Sequence, residues 1–314
     1  MRKRARILAA CLLVAVGAVS QCAHAANLKV NCEKKETINK ALRHLATSNP
    51  QGPNTISVEG SCKENIVIQS LDRLTLITKT GASISDQSNG TLSVVDIEDS
   101  RTATIQGFTI NGGDTGIRCG GVSVCYLQSN IVQSAVGQQG VVVGGGGASQ
   151  AFLTGNTIEN NAQRGLTVNL GASVVSDSDN YHDNTGPAIV ANTQALFTAV
   201  NSTIQNNGGD GSAAIVATGH STVRLISCTV SGNQGDGVRV QQASEAQFNG
   251  PDAVTANAGV GVSVGDLSFA FFDAGGNNVT GNLGGIDVVC SPQFSATRGA
   301  LTNIGGGVTN CTEP

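Results

Sequence analysis

The chain has no tryptophan, two tyrosines and six prolines, and only 13% of its 314 residues are charged. With Tyr126 and Tyr181 as its only amphipathic rings, it is poorly equipped for a long cleft that stacks sugars on aromatic faces. Cysteine pairs of the C-x-x-C kind are missing, which removes the usual frame of a structural zinc site. No basic stripe occurs, so a nucleic-acid backbone finds nothing to neutralise it. Beyond Val19 no apolar run is long enough to cross a bilayer as a helix. What abounds is glycine, at 41 residues, which points to many turns and few helices.

The start of the chain reads as an export signal. Arg2, Lys3, Arg4 and Arg6 precede an apolar run from Ile7 to Val19, and Ala23-His24-Ala25 supplies a small-x-small cleavage pattern. A lipoprotein cut is a poorer reading: Cys11 comes too soon, and Gln21 is the wrong residue before Cys22. Residues 1–25 are therefore expected to be a signal peptide and 26–314 one domain, periplasmic or extracellular. Losing four cations with the leader takes the formal charge from −4 to −8. Cys32, Cys62, Cys119, Cys125, Cys228, Cys290 and Cys311 remain, and an oxidising compartment pairs most of them. The favoured pairs are Cys32–Cys62, Cys119–Cys125 and Cys290–Cys311, the last closing a tail over 290–314, with Cys228 left over.

One helix is expected, near Thr37–Ala46, where Ile38, Ala41, Leu42 and Leu45 form an apolar stripe. Placed at the end of a stacked-sheet protein, it would cap the open core. His44 falls on its polar face.

From about Ser100 to Ile286 the chain repeats itself every 24–25 residues or so. Three families of positions recur. The first is a short strand, with Val132, Ile158, His182, Ile204, Val230, Val254 and Val279 as equivalents. The second pairs a small residue with an apolar one, from Gly140-Val141 through Gly165-Leu166 to Gly285-Ile286. The third is a hydroxyl row of Ser123, Ser149, Ser173, Thr193, Ser221, Ser244 and Ser268, with Ser70 and Ser100 as earlier members, whose hydroxyls would donate to one another. Asn161, Asn207, Asn233, Asn257 and Asn282 form a further row, expected as tight left-handed corners, with Thr185 rather than Asn184 in that place on the intervening coil. Three evenly spaced strands per repeat suit an all-β, single-stranded parallel β-helix with three strands per coil of about 24 residues, each strand bonded to its equivalent one turn on.

The runs Asn-Thr-Ile-Glu-Asn-Asn…Gly-Leu-Thr-Val and Cys-Thr-Val-Ser-Gly-Asn-Gln-Gly-Asp-Gly-Val-Arg-Val resemble the pectin-lyase-like superfamily, and more narrowly the bacterial right-handed parallel β-helix repeat proteins. The resemblance covers roughly Thr55 to Val289. It implies the right-handed fold and leaves activity open, because lyases, hydrolases, epimerases, esterases and non-catalytic adhesins share it. The hydrolase, pectate-lyase and pectin-esterase signatures of the superfamily are absent. Gly219-His220-Ser221 is the nearest approach to one of them, and His220 reads as a turn residue. Gly-Asp-Gly at 209–211 and 235–237 follows the coil period and reads as turn geometry.

One coil departs from the pattern. Asp177, Asp179, Tyr181, His182 and Asp183 make the densest ionisable cluster after the leader, with Asp177 and His182 in slots that neighbouring coils fill with apolar residues. As an acid/base site, Asp177 or Asp183 would be the carboxylate, His182 the proton carrier and Arg164 the neutraliser of an acidic sugar. Glu159 and Asp183, expected in one row on adjacent coils, could instead hold Ca²⁺. The bland reading is a local bulge that turns Asp177 and His182 into solvent. Asp96, Glu98, Asp99 and Arg101 read as a solvated edge. The sequence therefore favours a monomeric, non-catalytic scaffold that binds glycans or a cell surface, with no required cofactor. The alternative is a polysaccharide lyase, hydrolase or epimerase acting on acidic glycans near Asp177–Asp183.

Overall fold

Strands of three to six residues that alternate apolar and polar side chains recur three times per coil, and each pairs in parallel with its equivalent on the next coil. The computed structural model describes residues 25–146, 148–291, 296–298 and 301–311. The expected leader lies outside the described residues apart from Ala25. Stacking the coils builds three parallel sheets: sheet A of twelve strands, from Ala26–Asn31 to Ala296–Arg298, and sheets B and C of ten strands each. In each repeat the chain passes from A to B to C. Inward residues of all three sheets form one continuous core, with Ile158, Leu166 and Leu153 at or below 1% exposure on a single coil. Burial of each such aliphatic side chain contributes about 1.5–3 kcal/mol.

A helix, Ile38–Ser48, closes the first end. Thr37 is its N-cap, and Ile38, Ala41, Leu42 and Leu45 face the core. Buried Glu64 accepts from the N–H groups of Ile38 (2.7 Å) and Asn39 (3.1 Å). At the far end Cys290–Cys311 ties the tail back, and Cys32–Cys62 and Cys119–Cys125 are also bonded. Cys228 is free and buried, and burial pushes its thiol up to about 11. No described helix is long and apolar enough to cross a membrane.

Each corner of the coil has its own ladder. Asn161, Asn184, Asn207, Asn233, Asn257 and Asn282 stand in file between sheets B and C, each side-chain N–H donating to the side-chain oxygen of the next. The same amides donate to a carbonyl of the preceding coil. Asp287 ends the file by accepting from Asn282 (both 3.0 Å). Asn184 is thus a full member, and Thr185 is not. Nor are these asparagines the left-handed residues: Asn160, Asp183, Asn206, Gly232, Ala256 and Gly281, one position earlier, take the positive φ. That frees the asparagine side chain to point inward.

The departures from the expected register have one cause. Asn161, Asn184 and Asn207 are 23 residues apart, and Asn207 and Asn233 are 26 apart. A uniform count of 24 slips by one on the short coils. Tyr181, not His182, stands between Ile158 and Ile204, and Ser176, not Asp177, stands between Leu153 and Ala199. Ala172 and Ala195 are buried in the row that Ser173 and Thr193 were expected to fill. Buried Leu71 likewise precedes Ser100, leaving Ser70 exposed. The hydroxyls of that row accept backbone N–H groups from the coil before, as Ser244 does from Ser221 and Ser268 from Ser244, rather than donating to one another. In the second family the last inward residue is Val288, not Ile286.

Candidate functional site

The slip turns the cluster inside out. Asp179 and Tyr181 point into the core, and His182 points outward from sheet B. His182 pairs in register with Glu159, so the two side chains meet across adjacent coils, Nε2 to Oε2 at 3.1 Å. Asp183 follows with φ 55°, and this left-handed turn brings its carboxylate back to His182 Nδ1 at 2.7 Å. The imidazole therefore lies between two carboxylates, about four-fifths buried. Glu159 and Asp183 do not face each other as a calcium pair, because the ring separates them. Among the described residues the one tight group of metal-ligating side chains is Cys32, Cys62 and Glu64, whose sulfurs are in a disulfide and whose carboxylate caps the helix.

Asp177 and Arg164 stand elsewhere. Asp177 lies on sheet A in register with Thr154 and Val200, where it accepts from Ser178 Oγ (3.0 Å) and Asn201 Nδ2 (3.5 Å). Arg164 opens the sheet C strand Arg164–Asn169 and has no ion-pair partner among the described residues. So the structure joins Glu159, His182 and Asp183, and leaves Asp177 and Arg164 outside that group.

Behind the outward cluster lies a buried one. Asp179 accepts from Asn156 N–H (2.6 Å) and Nδ2 (2.9 Å) and from Ser176 Oγ (2.6 Å), and Ser176 contacts Tyr181 Oη at 2.9 Å. Because Ser176 gives its proton to Asp179, the phenol must donate to Ser176. Burial raises the Asp179 carboxyl to about 6, against the pull of these donors. Asp252, in the same corner file, is also raised to about 6 by burial, and its Oδ2 has no hydrogen-bond partner among the described residues.

Arg164 belongs to a concave feature that sequence reasoning missed. A groove of about 390 Å³ runs over the outer face of sheet C, with Val190 and Val216 on its floor. Gln163, Gly186 and Pro187, from the corner before sheet C, and Asn192 and Thr218, from the far ends of its strands, also line it. Its charged groups are Arg164 and Asp210. A second depression of about 210 Å³, lined by Arg239, Ser263, Asp266 and Val289, shares Gln241 with the first. The two together follow the solenoid axis over six consecutive sheet C strands. Towards the other end, Arg118 pairs with both Asp96 (2.9 Å) and Glu98, so part of the expected solvated edge is a cross-coil ion cluster.

Loop length places Asp210. From Asn207 to the inward Ile215 is eight positions, against five from Asn184 to Ile189. The surplus, glycine-rich at 208–211, brings Asp210 into the groove's lining and leaves Ser212 Oγ buried without a hydrogen-bond partner among the described residues. That spacing was the one available signal. Gly-Asp-Gly at 209–211 is a turn, as expected, and it brings Asp210 into the lining of the groove. At 235–237 Asp236 pairs with Arg239 at 2.8 Å.

The model of the right handed beta helix region matches residues 93–250 and 181–298. The chain belongs to this family. Its β-helix is similar to the ORF18 protein of Geobacillus virus E2, at 11% identity and a TM-score of 0.61 over 86% of this chain. The chain spans 59% of that protein's length. It is also similar to the periplasmic alginate epimerase AlgG, at 13% identity and 0.51, covering 92% of this chain and 84% of that one. The A-module of the Azotobacter vinelandii mannuronan C-5 epimerase AlgE4 compares at 12% and 0.50, covering 88% and 90%. At these identities the likeness is one of fold. No curated protein matches the chain.

Proposed function

We propose that this β-helix protein is an exported enzyme that modifies an acidic polysaccharide lying lengthwise in the sheet C groove. The observation that carries the reading is that Arg164, without an ion-pair partner among the described residues, lies in a groove continuing along the axis, a shape suited to a linear polymer. Arg164 would take a uronate carboxylate in a two-pronged contact. Asp210, the groove's other charge, would remove the proton from the carbon beside that carboxylate. The electrons pass into the carboxylate, where the guanidinium stabilises them. Reprotonation by water from the opposite face gives epimerisation, and departure of the neighbouring glycosidic oxygen, protonated by water as its bond to carbon breaks, gives a lyase. Two neighbours of this shape are named for epimerisation of alginate and mannuronan, which agrees with this substrate class. Three disulfides suit an oxidising, exported setting, and residues 1–25 would be the leader.

A second reading, a binding scaffold without turnover, is favoured by the His182 geometry. Both ring nitrogens are engaged by the chain's own carboxylates, so the ring is not free to meet a substrate. The deciding experiment incubates the protein with polymannuronate and polygalacturonate in D₂O, with and without Ca²⁺. It follows deuterium at the carbon beside the carboxylate by NMR and unsaturated ends by ultraviolet absorbance. Deuterium incorporation lost in Arg164→Ala and Asp210→Asn, and kept in Asp177→Ala and His182→Ala, is expected. Binding without exchange or cleavage on either polymer overturns the enzyme reading in favour of the scaffold. Turnover abolished by His182→Ala but kept in Asp210→Asn moves the chemistry to the outward cluster.

A further inference from the structure

We propose that the free edge of the first strand, Ala26–Asn31, is a docking site for an extended acidic segment of another protein, added to sheet A as one more strand. Among the described residues this strand is the end of the twelve-stranded sheet and pairs on one side only. Ala26 N–H donates to Pro53 O (3.1 Å), so Ala26, Leu28 and Val30 turn their backbone groups towards the neighbouring strand. Asn27, Lys29 and Asn31 turn theirs to the open side. Asn31 is served by its own chain: its N–H donates to Glu36 Oε2 (2.7 Å), and its carbonyl accepts from Glu36 N–H (3.3 Å). The open-side N–H and C=O groups of Asn27 and Lys29 have no partner among the described residues.

Beside that edge lies a cavity of about 330 Å³ between the strand and the capping helix. Leu28 and Ala41 give it apolar walls, Lys29, Lys35 and Lys40 line it with cationic groups, and His44 adds an imidazole. Its one acidic residue, Glu36, is held by Asn31 N–H. The backbone N–H groups at the start of the helix are taken, those of Ile38 and Asn39 by Glu64 and that of Lys40 by Thr37 Oγ1. What remains is a ladder of backbone donors and acceptors, an apolar strip and a set of ammonium groups. An extended peptide that alternates apolar and acidic side chains meets all three at once, as in strand addition to an exposed sheet edge. Lysines on an edge repel a second copy of the same strand, so the charge selects an acidic partner over self-association.

The test uses the purified protein and two labelled peptides, one alternating Val and Glu, the other Val and Lys, read by fluorescence anisotropy. Hydrogen exchange at the Asn27 and Lys29 amides is followed by NMR. The acidic peptide is expected to bind and the basic one to fail, with both amides slowed about tenfold or more. Lys29→Gln and Lys29→Pro remove the same charge, but only the second removes the outward N–H. Lys29→Pro should therefore bind about tenfold more weakly than Lys29→Gln. Binding with neither amide protected, or equal affinity in the two variants, overturns strand addition. So does failure of the acidic peptide to bind the wild-type protein, or a polyuronate oligomer that binds as tightly as the peptide without protecting either amide. The exchange measurement needs no variant, so a misfolded proline substitution does not spare the proposal.

Discussion

Asp179 gives the sharpest physical test of the core. Its carboxyl is 1% exposed, and burial raises it from 3.8 to about 6 despite three hydrogen bonds. A folded value above the unfolded one means that the native state binds the proton more tightly. The contribution to stability is thus full below about pH 4 and is lost as pH rises through about 6. A shift of about two units is worth roughly 3 kcal/mol at most. Asp179→Asn keeps the oxygen that accepts from Asn156 and places an uncharged amide in a file that already holds Asn130 and Asn156. Ser176 would then accept from the new amide and turn its proton to Tyr181 Oη. The variant should exceed wild type by about 1–3 kcal/mol at pH 7 and match it near pH 4. The assay is the urea midpoint measured at a series of pH values. A difference independent of pH, or larger at pH 4 than at pH 7, refutes the argument. Asp252 shifts in the same direction, so the single variant should remove only part of the wild-type pH slope.

Two further outcomes follow from the stacked geometry. Asn184→Ala strips the buried Asn161 N–H of its acceptor and breaks two more ladder bonds, so it should cost about 2–4 kcal/mol in urea unfolding. Asn184→Asp should cost at least as much, because a carboxylate cannot donate to Asn207, whereas Asp287 tolerates that chemistry at the file's end. His182→Gln, which removes a clamp near the surface, should lower stability by about 1 kcal/mol or less and leave turnover in the groove unchanged.

The repeat made the fold legible, because a core shared by stacked coils demands like residues at like positions. The capping stripe of Ile38, Ala41, Leu42 and Leu45 was legible from its helical spacing, and the three disulfides from the cysteines expected to pair in an oxidising compartment. Register was legible only to within one residue. In a strand that error exchanges inside for outside, and it hid the core roles of Asp179 and Tyr181. Glu159 was expected opposite Asp183 and His182 beside Asp177, whereas His182 faces Glu159 and Asp177 lies on sheet A. Arg164 was named for its sequence proximity to Glu159, and the structure sets it on a different sheet.

The groove escaped notice because a solenoid repeats its floor but not its walls. Floor residues such as Val190 and Val216 obey the period, so a periodic search finds them and treats them as ordinary. Walls are built where the period fails, and the failure here is the surplus between Asn207 and Ile215. Shortening 208–212 to the length of the preceding corner would leave the ladder from Asn184 to Asn233 intact, since those bonds lie outside the loop. It would remove Asp210 and lower one wall. If the polymer is held as proposed, such a deletion abolishes turnover while urea stability stays close to that of wild type. Equal turnover in the shortened chain would place the reacting groups outside this groove, whatever else the solenoid binds.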